Sequence, residues 1–237
     1  MCAWIAPSWA KFGNRQNNTT KADKRPVNKR NERKNMTNTV WPPAQNIASE
    51  HIILEPLGHE HEQGLREAVL DGELWNLVVT SAPEPDKVKA YIDMALQMRA
   101  EGNRLAHAVI EKATGRVLGS TSYHDIIANI KRVEIGYTWY AKSAQKTYVN
   151  TECKNMLLQH AFETLDCGVV GWRTDNLNFA SQKAIERLGA KKDGIIRHHA
   201  LRRDGTVRDT VMYSMLQHEW HGGIKAHMQQ LLHRYEG

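Results

Sequence analysis

Glu134 is the residue with the most evident chemical potential in this chain. It lies within Arg132-Val133-Glu134-Ile135-Gly136-Tyr137-Thr138-Trp139-Tyr140, where a carboxylate is unexpected unless paired or put to use. Desolvation there would raise its pKa toward the range of a general base working at neutral pH. The competing reading is a structural ion pair with Arg132, Arg173 or another base. The next segment, Gln145-Lys146-Thr147-Tyr148-Val149-Asn150-Thr151, offers successive amides, one lysine and hydroxyls to a pyrophosphate. A solvated loop charge is the plain alternative for Lys146. Asn176, Asn178 and Ser181 are residues that turns and helix N-caps use for their own sake. Tyr123-His124-Asp125, with Glu73 and Trp75 opposite, carries aromatic and acidic groups suited to a cationic amine. Residues of these types at strand ends also serve as amphipathic filler. His218-Glu219-Trp220-His221 has its histidines at i, i+3 rather than the i, i+4 of a zinc-binding helix, so no metal is implied.

These groups need a scaffold to bring them together. Val, Ile, Tyr, Thr and Trp make Arg132 to Tyr140 a strand. Val149, Cys153, Met156, Leu157, His160 and Ala161 recur at spacings of three and four, which predicts a helix over Asn150–Thr164 capped by Asn150 or Thr151. A strand, a turn and a helix N-terminus in series turn unpaired amides and a positive dipole end toward an anion. Upstream, a strand is expected over Ile52–Leu57 and a helix over His59–Leu74 with Leu65, Val69 and Leu70 inward. A second helix follows over Asp86–Glu101, then a hairpin of Leu105–Ile110 and Val117–Ile126. Downstream come a strand over Val169–Thr174 and a helix over Ala180–Leu188 stopped by Gly189. A hairpin of Gly194–Leu201 and Val207–Met215 turns at Asp204-Gly205, and a helix over Ile224–Tyr235 follows the break at Gly222-Gly223.

Composition limits the function classes. At 41% hydrophobic and 24% charged, the 237 residues suit one domain with appendages and a real core. The net charge of +6 resides in residues 1–50, leaving the remainder balanced, so no basic footprint for nucleic acid is expected on the folded part. Residues 1–49 read as a basic, disordered extension, with Met36 as a plausible start. Residues 50–216 read as the domain and 217–237 as a helical extension. Cys2, Cys153 and Cys167 form no C-x-x-C pair. They suggest free thiols in a reducing, cytoplasmic setting. No apolar run reaches the ~18 residues of a membrane span.

The stretch from Arg132 to Thr164 resembles the acyl-CoA-binding core of the GNAT N-acetyltransferases, in the branch typified by the ribosomal-protein N-terminal acetyltransferases RimJ and RimL. The resemblance continues through Arg173-Thr174-Asp175-Asn176-Leu177-Asn178-Phe179-Ala180-Ser181 and Ala184-Ile185-Glu186-Arg187-Leu188-Gly189-Ala190, and covers residues 50–216. It implies an α/β fold with a mixed, twisted sheet of six to seven strands flanked by helices. It also implies acetyl-CoA as cofactor, with contacts along Tyr137, Thr138 and Trp139, through Gln145–Thr151, and at Asn176, Asn178 and Ser181. Glu134 would be the base and Ser181 would protonate the departing thiolate. Glu73, Trp75, Tyr123, His124 and Asp125 would line the pocket of a small-molecule amine or a protein N-terminus, and a homodimer is possible. One departure stands out: the family loop, Gln/Arg-x-x-Gly-x-Gly/Ala, carries Tyr148 and Asn150 at its glycine positions. This departure keeps open a CoA-binding sensor or scaffold without catalysis, and the basic tail separately leaves a nucleic-acid binder as a third reading.

Overall fold

The computed structural model describes residues 40–235. Residues 1–39, which include most of the basic extension, and residues 236–237 lie outside that range.

Eight strands form one sheet: β1 (Ile47–Ala48), β2 (Ile52–Pro56), β3 (Arg104–Glu111), β4 (Val117–Ile127), β5 (Arg132–Tyr140), β6 (Val169–Asp175), β7 (Lys191–Leu201) and β8 (Val207–Leu216). Their spatial order is β1-β2-β3-β4-β5-β6-β8-β7. Every pairing is antiparallel except β5 with β6. The two-residue β1 is the strand that sequence reasoning did not anticipate.

Helices cover both faces. On one side, α1 (Glu62–Leu70) and α2 (Val88–Ala100) bury Leu65, Val69, Val88, Tyr91 and Ile92 against Ala106, Ala108 and Trp139 of the sheet. On the other, α3 (Tyr148–Gln159) and α4 (Phe179–Arg187) pack with Val133, Ile135 and Tyr140. The last segment holds a short helix, α5 (Gln217–Glu219), and α6 (Lys225–His233), parted by a kink at Gly223 with φ 153°. Trp220, Met228 and Leu231 from this segment are buried in the same core as α3, with Trp220 stacked on Phe162.

Three expectations shift locally. Leu70 is 53% exposed, and Ala68 takes the inward position beside Leu65 and Val69. His59–His61 is a 3₁₀ turn feeding α1, and left-handed residues at Gly72 and Glu73 end the first helix before Leu74. The helix predicted from Asn150 begins at Tyr148, and its last turn, His160–Thr164, widens to i→i+5 hydrogen bonding before ending at Thr164 as expected. Gly189 follows α4 at φ 96°, a left-handed position that glycine occupies without strain.

The feature that positions the site is a local failure of pairing. Strands β5 and β6 are bonded only at Arg132–Val169, Val133–Val170 and Glu134–Gly171. Beyond that point β6 keeps its partner β8 through Asp175, while β5 stays with β4. Strand β5 also carries a bulge. Ser122 faces Gly136 and Ser120 faces Trp139, so Tyr137 and Thr138 together oppose Thr121. Tyr137 adopts φ 49°, a conformation that a non-glycine residue reaches at some cost. The two strands therefore part at the bulge, with α3 starting after one and α4 after the other.

Candidate active site

After Tyr140 the chain makes a 3₁₀ turn over Lys142–Ala144, runs extended at Gln145, turns left-handed at Lys146 (φ 63°) and enters α3. Thr147, not Asn150 or Thr151, is the N-cap: its hydroxyl accepts from the Val149 amide at 3.3 Å and donates to the Ala144 carbonyl at 2.7 Å. All three residues can cap, and the left-handed Lys146 decides the register. Thr151 lies inside the helix, buried, its hydroxyl taken by Arg187 at 2.9 Å. The Val149 side chain is in the core. Of the loop expected to hold a pyrophosphate, Thr151 is thus not available to it. Gln145 donates to the Tyr140 carbonyl, Lys146 is exposed, and Asn150 is half-buried. Tyr148 turns away from the helix axis: its hydroxyl donates to Glu111 at 3.2 Å and its ring packs 5.1 Å from that of His51. A tyrosine is accommodated at a glycine position of the family loop because its side chain leaves over the β2–β3 end of the sheet.

Glu134 is fully buried and held by two guanidiniums. Arg132 donates to it at 2.9 Å, and Arg173 donates through both Nε (2.7 Å) and Nη2 (2.9 Å). Arg173 also pairs with Asp125, whose carboxylate is partly exposed. Burial raises the Glu134 pKa, and the hydrogen bond and charge of Arg132 oppose that rise. Gly171 passes so close that a Cβ there would sit 2.9 Å from Glu134 Cγ. The ion-pair alternative describes this geometry. His124, Asp125 and Glu134 each have a ligand atom within 4.8 Å of the others, yet a cation among them would face the guanidiniums that already hold the two carboxylates.

Strand alternation sorts the residues grouped as an acceptor pocket. His124 stands opposite Glu134 on the α1–α2 face, against Gly136 and edge-on to the Tyr137 ring. Burial, aided by the charges of Arg173, Arg104 and Lys154, pushes its pKa down to about 3, so the imidazole is neutral. Tyr123 points the other way: fully buried, it donates to the Leu157 carbonyl and stacks on His160. It is a core residue and cannot line the pocket. Trp139 is likewise a core side chain, edge-on to Tyr91 under α2, so only its backbone can face a ligand between the strands. Glu73 is exposed in the turn that carries Trp75, and the Trp75 carbonyl accepts from Arg203 of the β7–β8 turn at 2.8 Å. That bond brings the α1–α2 connection and the last hairpin together.

On the β6 side, Asn178 caps α4 by accepting from the Ser181 amide at 3.0 Å, and the Asn176 side chain accepts from Arg202. Both asparagines are engaged in structure. The half-buried Ser181 hydroxyl has no partner among the described residues.

Sequence reasoning missed two buried cations at the bulge. Arg104 is fully buried beneath α2, donating to Ser122 at 2.9 Å and to the Tyr91 hydroxyl at 2.7 Å, with its guanidinium 4.0 Å from the Tyr137 ring centre. Lys154 comes from α3 on the opposite face and donates to the hydroxyls of Thr138 (2.7 Å) and Thr121 (3.2 Å). Lys154 lies beside the apolar row Cys153-Met156-Leu157, but Asn150, Glu152, Asn155 and Gln159 share the same helix, so no pattern in the sequence singles it out.

This geometry agrees with what known proteins share. Residues 51–191 match the family described as "Acetyltransferase (GNAT) domain". YdaF of Bacillus subtilis, described as "Putative ribosomal N-acetyltransferase", is 32% identical over 114 residues, spanning 46% of this chain and 58% of its own. A GCN5-related N-acetyltransferase from Brucella melitensis superposes with a TM-score of 0.71 at 26% identity, covering 81% of this chain and 86% of its own. The ribosomal-protein acetyltransferase RimL, solved in complex with coenzyme A, shares the fold with a TM-score of 0.62 at 18% identity over 73% of this chain and 98% of its own. With its divided sheet, its capped helix after the split strand and the family match over more than half of the chain, this protein belongs to the GNAT family of N-acetyltransferases.

Proposed function

We propose that the protein transfers the acetyl group of acetyl-CoA to a primary amine, on a small molecule or a protein N-terminus, by direct attack on the thioester. The observation that carries this reading is the parting of β5 and β6 at the Tyr137–Thr138 bulge, with the N-termini of α3 and α4 set at the ends of the two strands. A pantetheine arm laid between the strands would satisfy the edge groups that pairing leaves free. The pyrophosphate would meet the Tyr148 and Asn150 amides and Lys146 at the start of α3. The coenzyme A in the RimL structure supports this choice of cofactor.

In the reaction the amine nitrogen bonds to the thioester carbon, the oxygen becomes an oxyanion, and the C–S bond breaks as the carbonyl reforms. The amine nitrogen loses its proton to water, and the thiolate takes a proton from water or from Ser181, whose hydroxyl is then restored by solvent. Most of the acceleration comes from holding the reactants together, and a backbone amide of the bulged strand stabilises the oxyanion. Glu134, buried and bonded to two guanidiniums, is assigned to fixing Arg173 and Asp125 at the acceptor side rather than to taking the proton. Neutral His124 offers the amine a hydrogen-bond acceptor that orients its lone pair.

The test is thiol release from acetyl-CoA against a panel of amines, N-terminal peptides and aminoglycosides. Release that depends on one amine class, with acetyl found on that amine, is the expected result. Tight CoA binding with no amine-dependent release across the panel would favour a sensor or scaffold instead.

A further inference from the structure

We propose that Arg104 and Lys154 are paired positioning charges that make the Tyr137–Thr138 bulge an anion site, setting the field in which the oxyanion and leaving thiolate of acetyl transfer develop; this rests on the acetyltransferase reading above.

The two side chains approach adjacent residues of the bulge, one each, from opposite faces of the sheet. The Arg104 guanidinium lies over the Tyr137 ring at 4.0 Å, and Lys154 Nζ bonds the Thr138 hydroxyl at 2.7 Å. Their partners are hydroxyls and π faces: Ser122, Tyr91 and Tyr137 for Arg104, Thr121 and Thr138 for Lys154. Among the described residues neither pairs with a carboxylate, and Arg104 Nη1 is buried with no partner at all. The nearby acids do not compensate, because Glu134 and Asp125 are already matched by Arg132 and Arg173. Neutral His124 adds no negative charge. On α3, Cys153 remains a protonated thiol, pushed up to about 12 by burial, and Glu152 is bound to Ser49 and His51. Burial lowers the Lys154 ammonium to about 8, which leaves it charged at neutral pH.

Two desolvated cations without counter-ions destabilise a fold. Such groups are retained where a reaction uses them, and here both converge on a bulge at the point where the strands part. A preorganised positive field in a site closed to water stabilises negative charge as it forms, without reorganisation at the moment of reaction. Because hydroxyls and rings relay the contact, the side chains act on the anion across the bulge rather than by touching it.

The experiment is a titration of CoA bound to the full-length protein, reading the thiolate by its ultraviolet absorbance as pH is raised. Bound to the native protein, the thiol should ionise at lower pH than free CoA, with on the order of tenfold or more thiolate at a given pH. Arg104→Met and Lys154→Met should each lose most of that gain while keeping CoA affinity. Their melting temperatures should hold or rise, since each substitution removes a buried charge. With an active amine, kcat should fall on the order of ten- to a hundredfold, while KM for acetyl-CoA stays within about threefold. Arg104→Lys, which keeps the charge, should keep the thiolate gain. A native complex whose thiol ionises like free CoA overturns the proposal without any variant, and so do Met variants that retain the gain. A native protein that lowers the thiol pKa yet acetylates no amine would instead remove the acetyltransferase reading and leave the anion site standing.

Discussion

Replacing Glu134 by glutamine separates a structural carboxylate from a catalytic one. Glutamine keeps the shape and one carbonyl oxygen, so the bonds from Arg132 Nη2 and Arg173 Nη2 to Oε1 survive with a neutral acceptor. The amide nitrogen then replaces Oε2, where Arg173 Nε now donates at 2.7 Å, and donor faces donor. One charge-assisted bond is lost outright and two are weakened, each such bond being worth about 1.5–3 kcal/mol. Breaking a buried pair costs about 3–5 kcal/mol. Both guanidiniums are about a third exposed, and Arg173 retains Asp125, which lowers the expected loss. We expect about 2–4 kcal/mol by urea unfolding, or roughly 5–15 °C in melting temperature for a domain of this size. Turnover per folded molecule should stay within about tenfold, whereas loss of a general base would lower it on the order of 10²–10⁴-fold. A variant as stable as the native protein but a hundredfold slower would refute the ion-pair assignment and restore Glu134 as the base. One both stable and fully active would refute both roles.

Thr147→Ala removes the α3 N-cap and should destabilise by about 1 kcal/mol, while weakening CoA more than pantetheine in calorimetry; equal effects on the two ligands would place the pyrophosphate elsewhere. The His107 and His124 pKa values are both pushed down to about 3, chiefly by burial, so the unfolded chain binds protons below pH ~6.5 that the folded chain refuses. Stability should therefore be complete above that pH and fall by about 1.4 kcal/mol per unit per imidazole as acid is added, and His107→Leu, which also removes two unpartnered ring nitrogens, should flatten the slope. Cys153 and Cys167 are buried with pKa values pushed up to about 12, so a thiol reagent at neutral pH should modify them only after denaturation.

The order of elements was legible because it rests on long periodic segments and strong punctuation. The apolar stripe of α3, Gly189 after α4 and Asp204-Gly205 in the last hairpin all lie where pattern and turn chemistry put them. Boundaries moved where several residues could do the same job. Thr147, Asn150 and Thr151 are all competent caps, and only the left-handed Lys146 selects the first. Grouping Tyr123 with His124 and Asp125 failed for a simpler reason: adjacent strand residues face opposite sides, so Tyr123 had to enter the core once His124 faced the site.

The bulge was the least legible feature and the most consequential. Gly136-Tyr137-Thr138 carries a glycine one residue before the left-handed position, so no local signal marks φ 49° at Tyr137. What packs against that conformation is long-range: Arg104 from β3 under the ring, His124 from β4 against its edge, and Lys154 from α3 on the neighbouring hydroxyl. Each of the three reads in isolation as an ordinary polar residue, and none lies within ten residues of Tyr137 in sequence. The cations flank the bulge from opposite faces, and the bulge lies where β5 has left β6. A variant that relaxes Tyr137 into regular strand geometry would extend the β5–β6 pairing past Glu134 and eliminate the cleft.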